Sequence, residues 1–90
     1  MINIINYEKI RRIILKKFVK QNVFVYIKGL VNTRTIINKA RTIINKDKII
    51  FANDDNNITI DLFNVRKVKI EDNLRITLTY SDDLQVSLEV

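Results

Sequence analysis

Leu74-Arg75-Ile76-Thr77-Leu78-Thr79-Tyr80, then Ser81-Asp82-Asp83, then Leu84-Gln85-Val86-Ser87-Leu88-Glu89-Val90 is the stretch whose reading decides the fold. Apolar and polar residues alternate on both sides of a short polar connection. Side chains of a strand point to opposite faces in turn, so period two with one apolar face means antiparallel strands lying over a core. Ser81, Asp82 and Asp83 supply the turn, being residue types whose short polar side chains satisfy turn backbone.

Moving towards the N-terminus, the same alternation recurs. Ile58, Ile60 and Leu62 alternate with Thr59 and Asp61, and Val68 and Ile70 alternate with Lys67, Lys69 and Glu71. Asn53-Asp54-Asp55-Asn56-Asn57 is a polar connection of the same kind. Further upstream, Val23, Val25 and Ile27 alternate with Phe24, Tyr26 and Lys28, giving a strand with apolar groups on both faces. Gly29 is the chain's only glycine and marks a bend or bulge after it.

Residues 33–46 admit two readings. They contain a near-perfect repeat, Arg34-Thr35-Ile36-Ile37-Asn38-Lys39-Ala40 followed by Arg41-Thr42-Ile43-Ile44-Asn45-Lys46-Asp47. A seven-residue period suits a helix, with Ile36, Ile37, Ala40, Ile43 and Ile44 on one face. Against this, seven of the twelve residues from Thr33 to Ile44 are β-branched, which is unfavourable in a helix. The strand reading is preferred and the helix remains the alternative. As strands, Ile36/Ile37, Ile43/Ile44 and Ile49/Ile50 place an apolar group on each side of the sheet, which favours self-association.

The N-terminal segment is different. Tyr7, Ile10, Ile13, Ile14 and Phe18 share one face at helical spacing, with Lys9, Arg12, Lys16 and Lys20 opposite. A helix over residues 7–21 is expected, capped by Asn6, with Glu8 in its first turn and Lys16, Lys17 and Lys20 in its last turns.

The architecture expected is α+β and mainly β. The N-terminal amphipathic helix packs on an antiparallel roll or small, partly open barrel of five to seven strands. The strand segments are 22–31, 33–38, 41–45, 48–53, 57–63, 66–71, 74–80 and 84–90. With 90 residues, no proline and one glycine, the chain reads as a single domain over 1–90 without a flexible linker.

Composition narrows function mainly by exclusion. The chain has no histidine and no cysteine, so imidazole base catalysis, thiolate nucleophiles and zinc sites of the His/Cys type are ruled out. One glycine rules out phosphate-binding loops and dinucleotide fingerprints. Asp54-Asp55, Glu71-Asp72 and Asp82-Asp83 read as solvated carboxylates at strand ends. Asp55-x-Asn57-x-Thr59 lacks the glycine and closing glutamate of a calcium loop. No enzyme activity, cofactor or metal is expected. No apolar run reaches the roughly 18 residues of a spanning helix, and residues 1–6 lack the basic start and apolar stretch of a secretory signal. A cytoplasmic protein without membrane association is expected.

Charge is unevenly distributed. Residues 1–50 carry twelve basic and two acidic groups, whereas residues 51–90 carry four basic and eight acidic groups. A basic half suits a polyanion, and two halves of opposite charge suit self-association equally. Lys9, Arg12, Lys16, Lys20, Arg34 and Arg41 are the candidate contacts for RNA or DNA, with Phe24 and Tyr26 as stacking groups. The alternative is a homo-oligomeric structural subunit, or one that docks to a protein partner. The abundance of Ile (17) and Asn (11) is discounted, because A/T-rich codons encode both.

The order of helix, strand with a late glycine and meander resembles the Sm-like small barrels, including the bacterial Hfq type. The likeness runs from Tyr7 to Glu71 through Val23-Phe24-Val25-Tyr26-Ile27-Lys28-Gly29 and Val65-Arg66-Lys67-Val68-Lys69-Ile70. It is a hydrophobicity pattern and implies a small β-barrel. The family's second glycine and the Asp and Asn of its first motif have no counterpart, so no RNA-contact residue is carried over. The added hairpin of residues 74–90 is similar to the strand series of bacterial pleckstrin-homology-like domains, which close with a helix where residues 84–90 here read as a strand.

Overall fold

The computed structural model describes residues 2–72 and 75–90. Leu74, assigned above to the start of the seventh strand, lies outside the described residues. The chain opens with helix α1 (Ile4–Ile13), which runs directly into a π-helical turn, Ile14–Phe18. Eight strands follow: β1 (Val23–Lys28), β2 (Thr33–Ile37), β3 (Arg41–Ile44), β4 (Lys48–Ala52), β5 (Asn57–Asp61), β6 (Lys67–Glu71), β7 (Arg75–Ser81) and β8 (Leu84–Glu89). They form two antiparallel sheets. The larger has the order β2-β1-β8-β7-β6, and the smaller has the order β3-β4-β5. This is the α+β, mainly β arrangement of a helix on an antiparallel roll, with eight strands shared between two sheets.

The helix differs from its sequence reading at both ends. It starts three residues earlier, because Asn3, not Asn6, is the N-cap. The Asn3 side chain accepts a hydrogen bond from the Asn6 backbone N–H at 2.8 Å. Glu8 therefore falls in the second turn and not the first. At the other end the helical turns stop at Phe18, and Lys20 lies beyond them in the left-handed region (φ 62°). Lys20 donates its backbone N–H to the Ala40 carbonyl at 3.1 Å, so tertiary pairing replaces the last helical turn. The apolar face survives these changes. Tyr7, Ile10, Ile13, Ile14 and Phe18 are all buried.

The repeat at 34–47 forms two strands, one in each sheet. Its first copy supplies β2 and its second supplies β3, and the link between them turns at Lys39 (φ 48°). Both copies orient alike. Arg and the first Ile face outward (Ile36 42% and Ile43 60% exposed), whereas Thr and the second Ile face inward. The seven-residue period is thus four or five strand residues plus a connector, which mimics two helical turns in sequence alone.

Inner faces of both sheets and the buried side of the helix share one core. Val23, Val25, Ile37, Ile76, Leu78, Val86 and Leu88 come from the larger sheet, Ile49, Phe51 and Ile60 from the smaller, and Ile10, Ile14 and Phe18 from the helical segment. The Phe18 and Phe51 rings stack with centroids 6.1 Å apart, which fixes the π-helical turn over β4.

Asparagine has structural work in the connections. Asn45 Oδ1 accepts from the backbone N–H groups of Asp47 and Lys48, and Asn53 Oδ1 accepts from those of Asp55 and Asn56. Both close hairpin turns of the smaller sheet in the way short Asx side chains allow. Asn22 Oδ1 accepts from the Lys39 N–H at 3.0 Å. Gly29 does sit at the bend after β1, but its φ is not positive. A Cβ there would meet Leu84 Cδ1 at 3.4 Å, an ordinary contact, so the bend does not depend on glycine.

Candidate functional site

The helix and the smaller sheet pack against the inner face of the larger sheet, which leaves its outer face to solvent. Strand registers fix what stands there. One row across the five strands reads Arg34, Tyr26, Ser87, Thr77 and Lys69 from β2 to β6. The row on one side reads Ile36, Phe24, Glu89, Arg75 and Glu71, and the row on the other side reads Lys28, Gln85, Thr79 and Lys67. At about 4.8 Å between neighbouring strands, this surface is about 19 Å across.

Two shallow depressions of about 590 Å³ each lie on this face. One is lined by Lys67, Lys69, Thr77 and Thr79, the other by Tyr26, Lys28 and Arg34, and Arg75, Gln85 and Ser87 line both. The two are therefore adjoining halves of one surface. At its centre the Thr77 and Ser87 hydroxyls lie 3.2 Å apart and hydrogen-bond to each other, with Ser87 only 9% exposed. Phe24 and Tyr26 are half-buried on this face, and Tyr26 lines one of the two depressions.

Five cations face outward here, Lys28, Arg34, Lys67, Lys69 and Arg75, against the carboxylates Glu71 and Glu89. Lys69 pairs with Glu71 at 3.3 Å, and Arg75 stands in register between Glu71 and Glu89. Lys28, Arg34 and Lys67 have no carboxylate opposite them in the strand registers. The surface is thus positive at both flanks and close to neutral at one end. The acidic residues of the C-terminal half lie chiefly in connections and at strand ends: Asp54 and Asp55 between β4 and β5, Asp72 after β6, Asp82 and Asp83 between β7 and β8. The acidic half of the sequence therefore contributes cations to the face and keeps most of its carboxylates off it.

The six cations singled out from the sequence are scattered over the helical segment and both sheets and do not form one surface. Lys9 and Arg12 are exposed on α1, where they flank a shallow hollow with Ile13 and Ile70, and Lys16 is exposed on the π-helical turn. Lys20 follows the helical segment and is exposed. Arg41 projects from the smaller sheet, 3.6 Å from the Asp54 carboxylate. Arg34 alone belongs to the face described above. Lys28, Lys67, Lys69, Arg75, Gln85 and Ser87 were not singled out. Their signal was present as the polar half of each alternating strand, but it was masked by summing charge along the chain.

Tyr80 closes one end of the inner side. Its hydroxyl donates to the Asp61 carbonyl, tying β7 to the end of β5. Burial, and secondarily the Asp61 carboxylate, push the phenol well above its ordinary value. Among the described residues no three His, Cys, Asp or Glu side chains cluster to hold a metal ion, and no helix is long and apolar enough to cross a membrane. No protein-family model, curated protein or solved structure matches this chain.

Proposed function

We propose that this protein is a non-enzymatic binding module that takes single-stranded nucleic acid on the outer face of its five-stranded sheet. The observation that carries this reading is the placement of Phe24 and Tyr26 on the same uncovered face as five cations. Single strands need both elements. Bases stack on aromatic rings supported from behind, and spaced cations follow the phosphates. Tyr26 and Phe24 are the stacking groups. Lys28, Arg34 and Lys67 are the phosphate contacts. Gln85 and the half-buried Thr77 offer donors and acceptors to base edges between them. In a duplex the base faces already stack on one another and are not free to stack on the rings, so unpaired strands are the favoured ligand.

The test is binding of fluorescently labelled single-stranded RNA and DNA oligonucleotides of mixed sequence at low salt. Tyr26→Ala should weaken binding by about 5-fold to 150-fold, the span of one lost stacking contact of roughly 1–3 kcal/mol. Absence of binding to either oligonucleotide, or full affinity in both Tyr26→Ala and Phe24→Ala, would overturn the reading. The exposed Ile36 and Ile43 favour a second property, self-association, and its site is argued next.

A further inference from the structure

A sheet edge is a row of unpaired backbone donors and acceptors, and natural edges are blunted by charge, proline or a covering element. The two sheets have four edges: β2 and β6 in the larger, β3 and β5 in the smaller. Three are blunted. Lys67, Lys69 and Glu71 make β6 charged at every second residue, which suits solvent. The π-helical turn packs beside β3, and the Tyr80 hydroxyl reaches the end of β5 at Asp61. The β2 edge is protected least along its length: a side-chain contact lies just past its end, where Asn53 Nδ2 donates to the Asn38 carbonyl at 3.0 Å. Of its five residues only Arg34 is charged, the chain has no proline, and Ile36 is 42% exposed on it.

We infer that two copies of this chain pair through their β2 strands, antiparallel and about a dyad at Thr35, to make one ten-stranded sheet. The register follows from the sequence of the strand. With Thr35 opposite Thr35 of the second copy, all five residues from Thr33 to Ile37 find partners. Arg34 then stands opposite Ile36 of the second copy, so the arginine stem covers the exposed isoleucine while the guanidinium stays in water. Thr–Thr is a favourable cross-strand pair, and no like charges meet. A dyad at Arg34 sets two arginines against each other. A dyad at Ile36 runs the pairing into Asn38 and the turn at Lys39. A second copy fits better than a foreign strand, because this edge is complementary to itself in one register.

The absence of cysteine makes the test direct, since Thr35→Cys places the only thiol of each chain at the dyad. Sedimentation of the wild-type protein without nucleic acid should show a concentration-dependent dimer. Mild oxidation of Thr35→Cys should give a disulfide-linked dimer at dilutions where the wild type is monomeric. Ile36→Lys sets a lysine against Arg34 twice per dimer and should raise the dissociation constant at least about tenfold, with an unchanged melting temperature at dilutions where both proteins are monomeric. A strictly monomeric wild type overturns the inference. So does a dimer that Thr35→Cys fails to cross-link, or one that Ile36→Lys leaves intact.

Discussion

Salt dependence gives the sharpest test of the sheet-face assignment, because the structure sets its size. A single strand that displaces counterions from Z phosphates shows a slope of log affinity against log salt of about −0.7Z. Lys28, Arg34 and Lys67 have no carboxylate opposite them in register and form no ion pair among the described residues, although Asp82 and Asp83 line hollows beside Lys28 and Lys67. Lys69 and Arg75, by contrast, are held beside Glu71 and Glu89. If only the three uncompensated cations reach phosphates, the slope is about −2, and if all five do, it is about −3.5. Between about 50 and 200 mM salt the affinity should then fall by roughly 20-fold to 130-fold. Fluorescence anisotropy with a labelled oligonucleotide at four or more salt concentrations measures this directly. Lys67→Gln and Arg34→Gln should each make the slope shallower by about 0.7, since each removes one phosphate contact. The same substitution at Lys9, Arg12 or Lys16 on the helical segment should leave the slope unchanged. A slope shallower than about −0.7, or one that responds to the helix cations and not to Lys67 and Arg34, would refute the assignment.

Further outcomes concern stability. Ile14→Ala and Phe18→Ala remove side chains with no exposure and should cost about 2–5 kcal/mol in chemical denaturation, and a loss below about 0.5 kcal/mol would mean the helical segment does not dock. Thr42→Val should stabilise the protein by about 1 kcal/mol. The Thr42 hydroxyl is buried without a hydrogen-bond partner among the described residues, so its desolvation is uncompensated, and a destabilised Val variant would show that the hydroxyl is in fact satisfied. Tyr80 carries a raised phenol, so its contribution is complete below the unfolded value near pH 10 and is lost as pH rises towards the folded value. Wild-type stability should therefore fall more steeply above about pH 10 than that of Tyr80→Phe, which should itself cost about 1 kcal/mol at neutral pH. Parallel alkaline denaturation curves for the two proteins would contradict this.

The β class was legible because alternation is a local property. Ile76, Leu78, Val86 and Leu88 declare their face without knowledge of any partner, and all four are buried in the core. The helix face was legible for the same reason. What escaped depends on contacts between distant residues. Lys20 leaves the helix to pair with Ala40, and no local signal announces that. The turns at Asn45 and Asn53 were legible as polar connections, whereas asparagine abundance, discounted as codon bias, hid the cap made by Asn3 and the long-range bond made by Asn22. Each is one common residue, whose role shows only when a backbone N–H is brought within reach of its side chain.

The candidate site shows the same limit in electrostatic form. Cutting the chain at residue 50 groups charges by sequence, but an antiparallel sheet groups them by strand register. Of the basic half, β2 pairs with β1 and β1 pairs with β8, which joins both to β7 and β6 of the acidic half in one sheet. Side-chain alternation then sorts each strand between core and solvent, and the connections take up most of the carboxylates. The positive surface therefore crosses the boundary drawn by the charge count along the sequence, with Arg34 and Lys28 at one flank and Lys67 and Lys69 at the other. A surplus defined along the chain points to the helix, whereas a surplus defined across the sheet points to the face where Tyr26 and Phe24 also stand, the face of the proposed site. Only the second arrangement puts rings and cations within reach of one extended strand, which is why the helix cations serve as controls in the salt experiment and the sheet cations as its subject.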